Sequence, residues 1–416
     1  MAFGNLLIYS AVFMGLYTTI FFLLTILENR HHLYRPKLQK NFPSVSIIVP
    51  CYNEEKSIAQ TIESLLALDY PHKKLDILVI DDGSKDKTFK VAKQFEKGGI
   101  VKVYHKENGG KYTALNYGLA RIKTEFVGTL DADSFVGPQS LKTMLPFFSE
   151  TNVQAVTSSL KIYQPKTVFQ YLQNIEYTFG IFLRKTLSFM GSIKVTPGPL
   201  TLFRRSVFEK IGYYRKAHQT EDLEIGFRLQ SHNFQIENAV DAHVYTVAPA
   251  SFKPLYKQRV RWYQGLLRNG WDYRRLLSFQ HGNLGLFILP VTYLGLFSLL
   301  SVSGLILAQI VTKVSNAFIS WQAIGFDISQ LHFHFDWFFL NSHLLIFLGL
   351  LSAVFTVIAI FMGQKLSKSV FSIDFSKGII LAALFYGPLY LSWWLGATTQ
   401  VLLNRHPNWV KEKEVI

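Results

Sequence analysis

The stretch LDILVIDDGS, residues 75–84, runs from a short apolar segment straight into two acids, a glycine and a serine. An apolar run of that length, bounded by turn formers, predicts a buried strand rather than a helix. The segment before it, SVSIIVP, has the same character and leads into CYNE. Between the two lies EEKSIAQTIESLLAL, where Ile58, Ile62, Leu65 and Leu66 recur at helical spacing. Beyond residue 84 come a helical KDKTFKVAKQF, a strand VKVYHK, a helix KYTALNYGLARI, and a strand EFVGTLDAD that ends in acids. Strands alternating with helices predict a parallel sheet with helices on both faces. Such sheets bind ligands beyond the carboxyl ends of their strands. CYNE, DDGS and DAD all fall at that edge.

Each cluster carries chemistry that suits the position. Asp131 and Asp133 can both present oxygens to one hard cation, Mg2+ or Mn2+, that also takes diphosphate oxygens. Asp81 and Asp82 can accept hydrogen bonds from a base or ribose, although Asp and Gly also simply favour turns. Tyr52 offers a face for stacking beside Glu54, and Asn53 suits a helix N-cap. NGGKYTALN, residues 108–116, sets Lys111 after two glycines at a helix start, where a backbone can come close to phosphate and a cation can meet it. No Walker motif is present, which argues against P-loop chemistry. TED, residues 220–222, supplies Glu221 and Asp222 as candidate general bases, with a capping role for this segment as the alternative.

Composition places this equipment at a membrane. The chain of 416 residues is 49% hydrophobic, only 17% charged, and has a net charge of +15. That balance is a membrane protein's. The basic surplus suits anionic lipid or an anionic substrate, and without a zinc-finger or RNA-binding signature no nucleic-acid partner is expected. Cys51 is the only cysteine, so there is no intrachain disulfide or cysteine-based zinc site. Leu6–Leu27, Asn283–Thr312, Trp337–Gly363 and Gly378–Asn404 are long and apolar enough to span a bilayer. The second reads as one tilted span or as a re-entrant piece plus a span. Arg30, Arg35, Lys37 and Lys40 follow the first stretch. They mark it as an uncleaved anchor and place residues 28–281 in the cytosol. TVFQYLQNIEYTFGIFLRKTLSFMGS, from residue 167, is aromatic and amphipathic; it suits a membrane surface or a core helix equally.

QRVRWYQG, residues 258–265, lies about twenty residues before the second apolar stretch. Arg261 has the planar fork that grips phosphate. Trp262 gives a flat face for a sugar ring, and Gln258 lies one helical turn away. Arg and Trp are also common at membrane surfaces, so an interfacial belt is the plain alternative.

VPCYNE, DDGSKD, GGKYTALN, DAD, TPGPLTLFRR, TED and QRVRW, in that order, resemble the motifs of the family 2 processive β-glycosyltransferases, such as the cellulose, chitin, hyaluronan and poly-N-acetylglucosamine synthases. The resemblance covers about residues 45–270 and implies an α/β GT-A (Rossmann-like) domain inserted between transmembrane helices. It implies an anchor at 1–28, a nucleotide-sugar-binding half at 29–164 and an acceptor and catalytic half at 165–281 with interfacial helices. A membrane region of about three spans at 282–404 and a tail at 405–416 complete the chain. It further implies that Tyr52, Glu54 and one or both of Asp81 and Asp82 hold uridine. Lys111 and Arg261 would meet the diphosphate. Asp131 and Asp133 would serve nucleotide and metal, Asp222 would be the base beside Glu221, and Trp262 would face the acceptor sugar, with Gln258 able to hydrogen-bond in the same pocket.

The expected activity is inverting transfer from a UDP-sugar, UDP-N-acetylglucosamine foremost, to a polysaccharide. The alternatives are one addition to a lipid acceptor, or a membrane transporter that only senses nucleotide-sugars. FSIDFSK, residues 371–377, matches the gating-loop motif of cellulose synthases only in part. With so few spans, a channel implies a small membrane partner subunit or a homodimer, in a multi-pass protein of the cell membrane.

Overall fold

The computed structural model describes residues 2–35, 38, 40–324, 342–369 and 372–405. In chain order, α1 (Ala2–Glu28) is followed by β1 (Val45–Cys51), α2 (Ile58–Leu66), β2 (Leu75–Asp81) and α3 (Thr88–Lys93). Then come β3 (Val101–His105), α4 (Lys111–Leu119), β4 (Phe126–Thr129), β5 (Ser134–Val136) and α5 (Ser140–Met144). β6 (Val153–Ile162), α6 (Val168–Phe189), β7 (Thr201–Arg204), α7 (Val207–Ile211), α8 (Glu221–Ser231) and β8 (Gln235–Thr246) follow. The chain continues through α9 (Phe252–Asp272), α10 (Leu289–Ile324), α11 (Ser342–Leu366) and α12 (Ile373–Leu402).

The sheet has eight strands in the order β3-β2-β1-β4-β7-β6-β8-β5. β1 runs parallel to β2, with Val45 opposite Leu75 and Cys51 opposite Asp81, and parallel to β4 on its other side. Every residue of β1 is buried. Ile47, Val49, Ile77 and Val79 are wholly inaccessible, and burying each such side chain contributes about 1.5–3 kcal/mol. The parallel expectation holds for β3, β2, β1 and β4. Beyond β4, past the stretch that this expectation covers, β7 lies antiparallel to both β4 and β6, and the whole sheet is mixed. β4 also ends at Thr129, so Asp131 and Asp133 occupy the turn into β5 rather than the strand itself.

The chain divides into two compact units, residues 1–24 with 287–359, and residues 25–286 with 360–416. Four helices among the described residues are long and apolar enough to cross a membrane: Leu6–Glu28, Leu284–Gln322, Ile346–Leu366 and Asp374–Leu402. The second is a single helical run of 39 residues, opening with a π-helical turn at Leu284–Ile288. At 1.5 Å per residue it reaches about 58 Å, well beyond a bilayer's hydrocarbon core. The re-entrant alternative for this stretch is therefore not observed. Residues 337–341 of the third expected span, and 406–416 of the tail, lie outside the described residues.

Within the sheet-bearing unit, α12 packs on α6 and α9. α6 opens with a capping box: Thr167 accepts from the Gln170 amide, and the Gln170 side chain returns to Thr167. One face of α6 meets the sheet, where the wholly buried Lys185 donates to the Asn238 carbonyl at 3.1 Å. Another meets the membrane-type helices, with Ile175 against Ile360 and Phe375. α6 is thus packed on two sides.

Candidate active site

The nucleotide-type cluster forms where β1 and β2 end side by side. Asp81 is fully buried, and its Oδ2 lies 2.5 Å from His105 Nδ1 at the end of β3. Asp82 is 4% exposed, and both its oxygens are occupied. Oδ1 accepts from Lys106 Nζ at 2.6 Å and the Gly109 amide at 3.1 Å, and Oδ2 accepts from the Gly110 amide at 2.8 Å. Asp82 thus folds the glycine turn that starts α4 and sets Lys111 at its first position. Asn53 is not the helix cap that a local reading suggests; Ser57 stands there. Asn53, at φ 54°, donates its amide to Ser84 Oγ at 2.9 Å and accepts from the Lys85 amide at 2.8 Å. It ties CYNE to DDGS. Glu54 accepts from Ser57 Oγ at 2.7 Å, and Tyr52 is half-buried beside it.

A second cluster gathers around Lys111. Its Nζ is 2.6 Å from Asp131 Oδ1 and 3.5 Å from Glu221 Oε1. Burial alone would lower the lysine's pKa, but Asp131, Glu221 and Asp222 outweigh that and hold it above its ordinary range. Gly198, in TPGPL, makes room for the acid: a Cβ there would sit 2.5 Å from Asp131 Oδ2. Asp222 follows at the N-terminus of α8. Burial, then the neighbouring Glu221 and Asp131, push its carboxyl up to about 6, against the opposing pull of Lys111 and Arg261. Asp133 accepts from Ser134 Oγ at 3.2 Å.

QRVRWYQG lies on α9 and is brought to this cluster by Gly265. A Cβ on Gly265 would stand 2.2 Å from Thr220 Oγ1, so only glycine lets α9 close on TED. Asn269, one turn on, donates to Thr220 Oγ1 at 2.9 Å. Arg261, one turn earlier, donates to the Gln219 carbonyl at 2.7 Å. His218 and Gln219 both hold left-handed backbones, φ 50° and 61°, a conformation that costs energy outside glycine and asparagine and concentrates at functional sites. The opposite side of α9 stacks Tyr263 on Trp394 of α12, with centroids 4.3 Å apart. The motif is therefore built against the segment that carries TED while its helix leans on the apolar α12.

This order of motifs on this sheet is matched by known proteins. The model of the glycosyl transferase family 2 covers residues 46–212. The poly-β-1,6-N-acetyl-D-glucosamine synthase of Staphylococcus epidermidis is 28% identical over 402 residues, which is 94% of this chain and 89% of that protein. The protein is a family 2 glycosyltransferase. The synthase of the same name from Staphylococcus aureus (strain COL) is 31% identical to the transferase over 273 residues, 64% of this chain and 66% of the other. A mannosyltransferase from Pyrobaculum calidifontis, solved with GDP-Man and Mn2+, superposes with a TM-score of 0.58 at 17% identity. It covers 97% of the transferase and 99% of its own chain, and shows the shared GT-A-type fold.

The sequence-predicted residues thus separate into two groups. Tyr52, Glu54, Asp81 and Asp82 lie at one end, and Lys111, Asp131, Glu221, Asp222 and Arg261 at the other, joined through the Asp82–Gly110 contact. Gln258 and Trp262 flank the second group on α9. Sequence reasoning missed His105 and Lys106, although both stand at the carboxyl end of a strand, where a polar residue is a signal. It also missed Arg259 and Glu176, for which no local signal exists.

Proposed function

We propose that the transferase moves N-acetylglucosamine from UDP-N-acetylglucosamine to the hydroxyl of a growing β-linked polysaccharide, with inversion, on the cytosolic side of the membrane. The convergence of Asp222 with Lys111, Glu221, Asp131 and Arg261 carries this reading. The relatives' printed name supplies the sugar, and Arg30 and Arg35 after α1 support the orientation.

Asp222 removes the proton of the acceptor hydroxyl as that oxygen bonds to the anomeric carbon and the bond from that carbon to the diphosphate breaks. A carboxyl with its pKa near 6 is ionised at neutral pH yet basic enough to take that proton. Lys111, held protonated, and Arg261 meet the charge that grows on the departing diphosphate. Asp81, oriented by His105, and Tyr52 with Glu54 hold the uridine. Asp82 acts through the glycine turn that presents Lys111.

Asp131 and Asp133 fit a divalent cation by their chemistry, which is hard oxygen alone. Among the described residues no group of three His, Cys, Asp or Glu is placed to cage a metal. Diphosphate oxygens and water would complete the shell of Mg2+ or Mn2+. Such an ion, when bound, neutralises charge on the diphosphate.

The test is a screen of UDP-sugars with full-length protein in lipid, followed by linkage analysis of the product. UDP release and a β-linked N-acetylglucosamine polymer are expected from UDP-N-acetylglucosamine. A single sugar on lipid would favour the one-addition alternative, and no UDP release from any donor would favour the sensing one.

A further inference from the structure

Arg259 is an arginine with no access to solvent, set between Gln258 and Trp262 of QRVRW. Its Nη2 is 2.8 Å from Glu176 Oε2 on α6, a carboxylate whose side chain is 20% exposed. Its Nη1 donates to Gln258 Oε1 at 2.6 Å. Its guanidinium carbon lies 4.2 Å from the ring centroid of Trp262 and 5.7 Å from that of Trp393 on α12. One planar group thus touches an amide, a carboxylate and two indoles on three helices.

We propose that Arg259 is the positioning residue of the acceptor site, presetting the amide of Gln258 and the ring of Trp262 before any sugar arrives. The assignment rests on the proposed transfer to a polysaccharide and on the expectation that Trp262 faces that acceptor with Gln258 in the same pocket. A guanidinium has donors and no acceptor, so the Gln258 atom that faces it must be the oxygen. The Gln258 amino group is thereby turned away from Arg259, and no described residue accepts from it. What it offers a ligand is two donors, which suits a hydroxyl or carbonyl oxygen of a sugar. The cation on Trp262 fixes the indole plane from one side. No aromatic ring stacks on Trp262 among the described residues, so its remaining face can serve a sugar ring. Glu176 and Trp393 keep Arg259 itself from turning. The plain alternative is a brace: a buried ion pair that merely ties α6, α9 and α12 together.

A brace and a positioning residue differ in what their loss does to donor and acceptor. Arg259→Lys keeps the charge opposite Glu176 but cannot reach Gln258 and lie flat on Trp262 together. With full-length protein in lipid nanodiscs, UDP affinity should stay within about twofold. Transfer to a short β-1,6-linked N-acetylglucosamine oligosaccharide should fall roughly ten- to hundredfold in kcat/KM for the acceptor, as expected when a reacting group is misplaced. Combined with Trp262→Leu, Arg259→Lys should add nothing to the loss from Trp262→Leu alone, because one acts through the other. If UDP affinity and transfer fall together, or if the two losses multiply, Arg259 is a brace and the proposal is overturned. If Arg259→Lys does not fold, Glu176→Gln, which retains a neutral acceptor, should show a smaller loss confined to the acceptor. Unchanged acceptor kcat/KM in that variant would also overturn it. Wild-type protein that transfers nothing to the oligosaccharide refutes the proposed acceptor. A competent wild type with insensitive variants refutes the role of Arg259 alone.

Discussion

At the nucleotide end the acids are buried and partnered: Asp82 has both oxygens filled by Lys106 and two backbone amides, and Asp81 rests on His105. At the catalytic end Asp131, Glu221 and Asp222 crowd one lysine, and at least one of them holds its proton more tightly than an isolated acid. The first arrangement fixes positions, whereas the second stores an imbalance of charge that a hydroxyl proton or a diphosphate can relieve. Two groups of carboxylates on one sheet edge therefore differ in what surrounds them rather than in residue type.

The contrast can be tested from both ends. Excess EDTA should stop turnover, and Mg2+ or Mn2+ should restore it; full activity in EDTA would free Asp131 and Asp133 from metal duty. Asp222→Asn should lower kcat by roughly 10²–10⁴-fold while UDP-sugar still binds. In the wild type, kcat/KM should fall about tenfold per pH unit below about 6, because protonated Asp222 cannot accept a proton. An acid limb near pH 4 would mean that the crowding is not felt. Gly265→Val should pull Arg261 from the Gln219 carbonyl and cost about 100-fold in kcat; a silent variant would show that α9 need not touch Thr220. Asp82→Asn should weaken donor binding by about tenfold, as expected for loss of a charge-assisted contact that shapes the Lys111 turn. A loss confined to kcat would move Asp82 to the catalytic group.

The smallest effect concerns stability. The folded chain holds the Asp222 proton above the ordinary value of 3.8, so folding is favoured while that proton is bound. Stability is then lost as pH rises from about 4 through about 6. Asp222→Asn should melt higher than wild type at pH 7, and the gap should close below pH 4. An equal Tm at pH 7 would mean that the cluster relaxes to accommodate the charge.

Much of this contrast was legible in the chain itself. The strands and the acids that follow them obey local rules, so β1 to β4 and Lys111 at a helix start could be read directly, although β4 stops at Thr129, short of Asp131. What could not be read depends on residues far apart in sequence. The antiparallel β7 sits beside β4 through pairs such as Phe126 with Arg204, and no local pattern announces that. Asn53 looks like a cap because capping is a local rule, yet its partners lie some thirty residues away, across a parallel strand pair that only folding creates. The same holds for Glu176 with Arg259. The raised pKa of Asp222 comes from burial, from Glu221 beside it and from Asp131 far away in sequence, against the pull of Lys111 and Arg261, and none of the short motifs reveals that balance alone.

α12 carries a consequence for how such enzymes can change over evolutionary time. Tyr263 stacks on Trp394, Gly396 leaves room for the Tyr256 hydroxyl 2.3 Å from where a Cβ would stand, and Ile175 rests on Phe375. A recombination event that joined residues 25–281 to a foreign set of membrane helices would strip these partners away and present α6 and α9 with surfaces they do not fit. In any such exchange α12 would have to travel with the sheet-bearing unit that it fits. Drift at Trp394, Gly396 or Phe375 would have to be matched on α6 or α9 in the same lineage.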